Sequence, residues 1–280
     1  GFNNAPRQQL PPIGQKGGFN FVAPVIQAKP RDDKIIQDYS ELCTTQSYSS
    51  KKFLELPDKD EISWSASTAF AAGRKLGSGS FGEVRKVTYK GSDGRERRIA
   101  MKKISPRSKS EHDGTKVEIS ALAALGKSEY TPRLYGCVLE GSYIYMAQTF
   151  LDHSLEDPLF TDKIKIQTCA ESLVLYKDMF LGLKDLWKAG FVHNDIKPAN
   201  MMTDLDNTRV YLIDFGLAQR TTASNKAAGT PLFMSPPKFT QYGKVAPKDD
   251  IYSMALSIAF VEAKKGYDEI FGGFTSPSLY

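Results

Sequence analysis

Asp195 and Lys197 stand two positions apart in the run His193-Asn194-Asp195-Ile196-Lys197-Pro198-Ala199-Asn200, which Asn200 closes. These three side chains meet the needs of phosphoryl transfer. A carboxylate orients a hydroxyl and takes its proton, a cation offsets phosphate charge, and an amide oxygen helps hold Mg²⁺. Downstream, Asp214-Phe215-Gly216 offers a second carboxylate to the metal. A His-x-Asp triplet alone is an ordinary surface-loop pattern. The complete run followed by Asp-Phe-Gly reverses that judgement.

A phosphate cradle is the next requirement. Gly77-Ser78-Gly79-Ser80-Phe81-Gly82-Glu83-Val84 has three glycines, whose backbone N–H groups can approach phosphates with no Cβ in the way. Alone, G-x-G-x-x-G also fits dinucleotide folds and ordinary hairpins. Val84 and the strand-like residues on both sides favour a hairpin lid over ATP, because a dinucleotide fold would start a helix directly after the glycines. Phe70 to Leu76 reads as the incoming strand and Glu83 to Lys90 as the outgoing one, with a turn at Gly91-Ser92-Asp93-Gly94. A helix is expected from near Asp113 or Thr115, both good N-caps. On it Glu118 shares one face with Leu122 and Leu125, and a carboxylate in an apolar stripe needs a partner.

Taken together, these motifs resemble the eukaryotic-type protein kinase family, whose catalytic loop reads H-R-D-x-x-x-x-N and whose metal motif reads D-F-G. The resemblance covers residues 70 to about 265. Ile99-Ala100-Met101-Lys102 is similar to the family's V-A-I-K, so the resemblance makes Lys102 the lysine that reaches the nucleotide phosphates and Glu118 its partner, with Glu111 as the fallback. It makes Asp195 the residue that orients and deprotonates the acceptor hydroxyl. Lys197 would steady the γ-phosphate, and Asn200 and Asp214 would hold Mg²⁺. Strands at Leu134–Leu139 and Tyr143–Gln148 would lead to a hinge, Thr149-Phe150-Leu151, whose backbone meets adenine. The lobe-closing position before it is Gln148, or Met146 if the register slips by two. The ATP site so implied contains Gly77, Ser78, Gly79, Ser80, Phe81, Gly82, Val84, Ala100, Lys102, Glu118, Gln148, Phe150, Leu151 and Met202. D-x-K-P-x-N resembles the serine/threonine members, and Gly229-Thr230-Pro231 agrees, with Thr230 as the threonine that bridges Asp195 and Lys197.

Three departures from the family pattern stand out. Asn194 replaces the Arg that commonly receives an activation-loop phosphate, which predicts activity without loop phosphorylation. Ser235-Pro236-Pro237 stands where A-P-E is expected. The last part is short: Asp249-Asp250-Ile251-Tyr252-Ser253 resembles the start of helix F, with Asp250 anchoring the catalytic-loop backbone, and little follows Lys264. That compactness resembles kinases that some pathogenic bacteria secrete into host cells. It equally fits a chain cut short.

The supporting elements of the second half are a helical start at Ser154-Leu155-Glu156 and a long helix from about Gln167 to Ala189. Leu173, Tyr176, Met179, Phe180, Leu183 and Trp187 are expected on its buried face. Gly190 ends it. Met201-Met202 and Val210–Ile213 read as short strands presenting Asn200 and Asp214.

The bulk numbers permit this reading. In 280 residues, 41% are apolar and 11% aromatic, enough for one large domain or two lobes. A net charge of +5 fits ATP and acidic partners, and equally an ordinary solvated surface. Cys43, Cys137 and Cys169 are far apart and odd in number, which suggests a reducing compartment. No apolar run approaches the ~18 residues of a membrane span. Residues 1–69 form an extension rich in proline (Pro6, Pro11, Pro12, Pro24, Pro30, Pro57), with short helical turns expected at 32–42 and 49–56. Its apolar patch at 18–27 either docks on the folded domain or a partner, or belongs to a disordered tail.

The expectation is therefore an α+β, bilobal protein kinase-like fold: a small antiparallel β-sheet N-lobe (70–148) with helix C, a hinge (149–151) and a mostly helical, shortened C-lobe (152–280). The implied activity is ATP- and Mg²⁺-dependent phosphorylation of serine or threonine in a protein substrate, with no nucleic-acid partner. The implied location is cytoplasmic, a host cytosol if the chain is a secreted effector. A catalytically silent scaffold of the same fold is the alternative; a small-molecule phosphotransferase fits less well with Lys197 and Thr230.

Overall fold

A computed structural model of the protein describes residues 66–263, apart from 80–81, 92, 127, 141, 158–168, 205–208, 224–227 and 241–245. The 1–65 part of the extension, the 18–27 patch, the Ser80-Phe81 tip and the tail after 263 lie outside the described residues.

Side chains alternate across a strand, so each strand divides its residues between two faces. The five strands of the upper sheet, β1 (Arg74–Gly79), β2 (Gly82–Lys90), β3 (Glu96–Ile104), β4 (Leu134–Glu140) and β5 (Tyr143–Thr149), are ordered β1-β2-β3-β5-β4 and pair antiparallel. One face carries Val87, Tyr89, Ile99, Met101, Tyr145 and Ala147, and a short helix α1 (Ala66–Ala72) covers it with Ala66, Ala69 and Phe70. The other carries Ile104, Cys137, Leu139, Ile144 and Met146, covered by Ile119, Leu122 and Leu125 of helix α2 (Lys109–Ala124) and its C-terminal cap. Phe70 thus lies in a helix rather than the expected strand. The run Ala66-Ser67-Thr68-Ala69-Phe70-Ala71-Ala72 favours helix through its alanines, and Phe70 fills the outer face.

Helix α2 begins earlier than Asp113. Ser108 is its N-cap, its Oγ accepting from the Glu111 backbone N–H at 3.2 Å, while the Glu111 carboxylate accepts from the Arg107 N–H at 2.7 Å. The pair is a close variant of the S-x-x-E capping box. Glu111 therefore sits in the first turn, where it serves the helix end.

The second half is built on helix α3 (Cys169–Lys188), two short ladders and helix α5 (Pro247–Ala263). Strands β6 (His153–Ser154), β8 (Met201–Thr203) and β9 (Val210–Leu212) pair in one ladder, and β7 (Phe191–Val192) pairs with β10 (Gln219–Arg220) in the other. Ser154 is thus a strand residue, not the start of a helix. A single turn of helix, α4 (Pro236–Thr240), precedes α5. On α3 the buried residues are Leu175, Asp178, Met179, Leu183 and Leu186, whereas Leu173 (65%) and Phe180 (42%) are exposed, contrary to expectation. Apolar residues cover so much of this helix that periodicity admits two stripes, and β9 and α5 select the one they touch. The core is continuous from α2 through Leu183, Phe191, Ile196, Met201, Leu212 and Phe215 to Met254 and Val261.

Candidate active site

Between the upper sheet and the β8–β9 ladder lies a cavity of ≈ 400 Å³. Gly77, Ser78, Gly82 and Val84 contribute from the β1–β2 hairpin, Ala100 and Lys102 from β3, Glu118 from α2, and Gln148 and Leu151 from the end of β5 and beyond. Met202, Asn200 and Asp214 complete it from below. Gly82 has φ +127, and a Cβ there would come within 2.2 Å of the Lys103 carbonyl oxygen, so only glycine lets the hairpin lie this close to β3.

Gln148 reaches the cavity, while Met146 is fully buried in the core, which selects the first register over the slipped one. Phe150 does not line the cavity. Its ring lies beneath the Lys86 ammonium and the Arg98 guanidinium at 5.4 and 5.5 Å, while Thr149 and Leu151 on either side of it line the cavity. Gly79 pairs with Gly82 in the hairpin and is not among the lining residues. Leu76, Pro132, Ile213 and Phe215 line the cavity without having been singled out. Leu76, Ile213 and Phe215 adjoin recognised motifs, whereas Pro132 carries no local signal.

Lys102 Nζ donates to Glu118 Oε1 at 2.5 Å and stands 3.7 Å from Asp214 Oδ1. Burial opposes charge on this ammonium, but Glu118 and Asp214 outweigh it and raise the pKa above the ordinary lysine value. Glu111 takes no part. The packing of α2 against the 215–217 turn, where Gly114 faces the Gly216 carbonyl, keeps Glu118 next to Asp214.

Asp195 follows β7. Its Oδ1 accepts from the Thr230 N–H and the Thr230 hydroxyl, both at 2.7 Å, and its Oδ2 is 3.0 Å from Lys197 Nζ. Lys197 Nζ donates to Thr230 Oγ1 at 2.8 Å, so the threonine hydroxyl lies between the two charged groups. Burial raises the Asp195 pKa, but the Thr230 hydrogen bond and the Lys197 charge prevail and hold it below the ordinary aspartate value. The carboxylate is therefore ionised at neutral pH.

The loop backbone is held from outside. Asp250 on α5 accepts from the His193 and Asn194 N–H groups, each at 2.9 Å, and from Trp187 Nε1 at 3.2 Å. His193 Nδ1 accepts from the Asp195 N–H, so Nε2 carries the proton and donates to the Ile213 carbonyl. The non-glycine residues with positive φ among those described are Asn194 (+70) and Asp214 (+60), both in this site. Such conformations persist only where the surroundings impose them.

Asn200 spends its Nδ2 on Asp195 O and Oδ2, at 2.8 and 3.1 Å, which leaves its Oδ1 as the atom offered to a cation. The Ile213 N–H donates to the Asn200 carbonyl at 2.9 Å, tying the Asn200 and Asp214 segments together. One carboxylate and one amide oxygen on a shared cavity wall fit Mg²⁺, which takes few protein ligands and completes its shell with water and phosphate. Among the described residues no group of three or more His, Cys, Asp or Glu could hold a metal, so an all-protein cage is not what this site offers.

Pro237 stands where the family pattern has a carboxylate, and Ser235 two residues earlier takes part in anchoring instead. Its Oγ donates to Asp249 Oδ1 at 2.6 Å and accepts from the Lys238 N–H at 3.3 Å. The segment before α5 is therefore anchored by the Ser235 hydroxyl, a role that the departure from A-P-E did not reveal.

Residues 70–267 match the family model of the protein kinase domain. The chain is similar to a probable LRR receptor-like serine/threonine-protein kinase of Arabidopsis thaliana, 29% identical over 203 residues that make up 68% of this chain and 19% of that protein. It is also similar to cysteine-rich receptor-like protein kinase 6 of the same plant, 30% identical over 69% of this chain and 29% of the relative. A third relative is the cell division cycle 7-related protein kinase of Mus musculus, 29% identical over 52% of this chain and 25% of the relative. The chain thus spans less than a third of the length of each.

Proposed function

Because the chain belongs to the protein kinase domain family, we propose that it transfers the γ-phosphate of ATP to serine or threonine hydroxyls of protein substrates. The observation that carries this reading is the Thr230 hydroxyl set between Asp195 and Lys197 beside the Asn200 and Asp214 wall. The similarity to the Arabidopsis LRR receptor-like serine/threonine-protein kinase supports the serine/threonine assignment.

In this reading the ionised Asp195 accepts a hydrogen bond from the acceptor hydroxyl and takes its proton as the oxygen bonds to the γ-phosphorus. The bond from that phosphorus to the β–γ bridging oxygen breaks, and ADP leaves. Lys197 holds charge near the transferred group, and Lys102, fixed by Glu118, holds the nucleotide phosphates. Asn200 and Asp214 would hold Mg²⁺, which supplies neutralisation of phosphate charge when bound. A cytoplasmic site of action, where ATP is plentiful, belongs to the same proposal.

Phosphorylation of the 221–224 segment is not required in this proposal, because Asn194 replaces the phosphate-binding Arg and donates its amide to the Leu217 carbonyl at 3.0 Å. The test is radiolabel transfer from ATP–Mg²⁺ to myelin basic protein. Wild type should label it, and Asp195→Ala should lose about 10³-fold or more. Thr221, Thr222 and Ser224 changed together to Ala should retain the rate within about tenfold, equivalent to ~1.4 kcal/mol. Absence of labelling by wild type with ATP bound would instead favour a silent scaffold.

A further inference from the structure

Lys238 is a buried lysine on the single turn α4, and nothing above assigns it a role in the reaction. Its Nζ donates to the Asn194 carbonyl and to Asn194 Oδ1, both at 3.0 Å. Asn194 immediately precedes Asp195 and adopts φ +70, a conformation that needs outside support.

Every polar group of Asn194 has a partner. The N–H goes to Asp250, the side-chain Nδ2 to the Leu217 carbonyl, and both oxygens to Lys238. Leu217 directly follows the Asp214-Phe215-Gly216 metal motif. The same Asn194 carbonyl packs on Gly229, where a Cβ would approach it to 2.2 Å, and Gly229 leads into Thr230. Asn194 therefore sits at a junction of the catalytic loop, the metal segment and the Gly229-Thr230 segment, and one ammonium holds it there.

The charge around it has the matching sign. Asp250 and Asp249, both buried, and Asp195 lie near enough to act on the Lys238 charge. Burial lowers the Lys238 pKa below the ordinary value while Asp250, Asp249 and Asp195 oppose that shift. A cation enclosed with carboxylates and two hydrogen-bond acceptors is a fixed electrostatic centre, unlike a surface lysine, which stays hydrated and mobile.

We infer that Lys238 is a positioning residue: its ammonium locks Asn194 and thereby aims Asp195, serving from within the fold as a substitute for an added phosphate. The inference rests on the phosphotransferase reading of the site and adds the regulatory consequence that the latch is permanently closed. Lys238 does not line the cavity and acts through Asn194.

The test compares wild type, Lys238→Met and Lys238→Arg in steady-state transfer, nucleotide binding by calorimetry, and amide exchange of residues 193–197 and 230. Met should lower kcat about 30- to 100-fold, because small misplacement of a reacting group costs rates of that order. The KM for ATP and the nucleotide Kd should stay within about twofold, since the ATP cavity is untouched, and Arg should restore at least a third of the lost rate on a logarithmic scale. Amides 194 and 195 should lose protection in the Met variant. If Met fails to fold by circular dichroism, Lys238→Gln replaces it, with the same expectations. A kcat within about threefold of wild type, or equal loss of nucleotide binding and activity, overturns the inference. If wild type itself transfers no phosphate, the kinase reading fails, and the latch is judged by exchange alone: unchanged protection at 194 and 195 in the variant overturns it.

Discussion

The upper sheet and the catalytic loop are held together by different means. In the sheet, β1 to β5 rely on continuous backbone ladders and on alternation that sends Val87, Ile99 and Tyr145 to one face and Ile144 and Met146 to the other. Removing one side chain leaves the ladder in place. The loop from His193 to Asn200 has almost no ladder. It depends on single side chains reaching it from afar: Asp250 to two backbone N–H groups, Lys238 to a backbone carbonyl, Thr230 to the Asp195 carboxylate. Distributed bonding tolerates loss, whereas point anchoring does not.

The largest effect that would follow from this contrast is at Asp250→Ala. It strips partners from the buried His193 and Asn194 N–H groups and from Trp187. A loss of about 3–5 kcal/mol in urea unfolding is expected, since each orphaned buried donor costs about 1–3 kcal/mol. A loss under about 1 kcal/mol would show that the loop has other support and would erase the distinction between the two regions.

Thr230→Ala sharpens the comparison within the loop itself. The Thr230 hydrogen bond lowers the Asp195 pKa, so its removal raises that pKa, and the acid limb of kcat/KM should move to higher pH. The rate on the plateau should fall about tenfold. The same sign governs stability. A carboxylate with a depressed pKa in the folded state stabilises fully above its unfolded value of about 3.9, and loses that contribution as pH falls through the folded value. The variant should therefore gain less stability than wild type between strongly acid solution and neutrality, as read by unfolding at a series of pH values. An unmoved acid limb would remove Thr230 from control of Asp195.

The smallest effect belongs to the sheet side. Ser108→Ala removes the cap of α2 and should cost about 1 kcal/mol, with transfer rates within about twofold, because Lys102–Glu118 lies further along the helix and stays enclosed. A tenfold fall in rate would mean that the N-lobe too depends on single anchors.

This division also explains what the sequence made legible. Lys102, Asp195, Asn200 and Asp214 belong to motifs in which chemistry dictates spacing over a few residues, and Glu118 stood out as a carboxylate in an apolar stripe. The sheet was visible through its period. Pro132 and Lys238 reach their places only through tertiary folding, so no local pattern marks them. On α3 Met179 and Leu183 are buried as expected and Tyr176 and Trp187 pack against the core, but Leu173 and Phe180 are exposed, because apolar residues spread widely over this helix and only contact with β9 and α5 chooses among them. Helix α1 was hidden because Phe70 fits equally well into a strand that continues to Leu76. The start of α2 was legible in Ser108 and Glu111, but Asp113 and Thr115 competed with them as caps.

Asp250 and Lys238 also impose an order in time. Chains are made from the N-terminus and fold as they emerge. Asp195 leaves the ribosome before either of the residues that aim it. A partly made chain can carry the β1–β2 hairpin and Asp195 while the loop that holds Asp195 is still unaimed. Only when α5 has been made and docked does Asp250 fasten the loop. The latest anchor to be synthesised is thus the one on which the final placement of Asp195 waits.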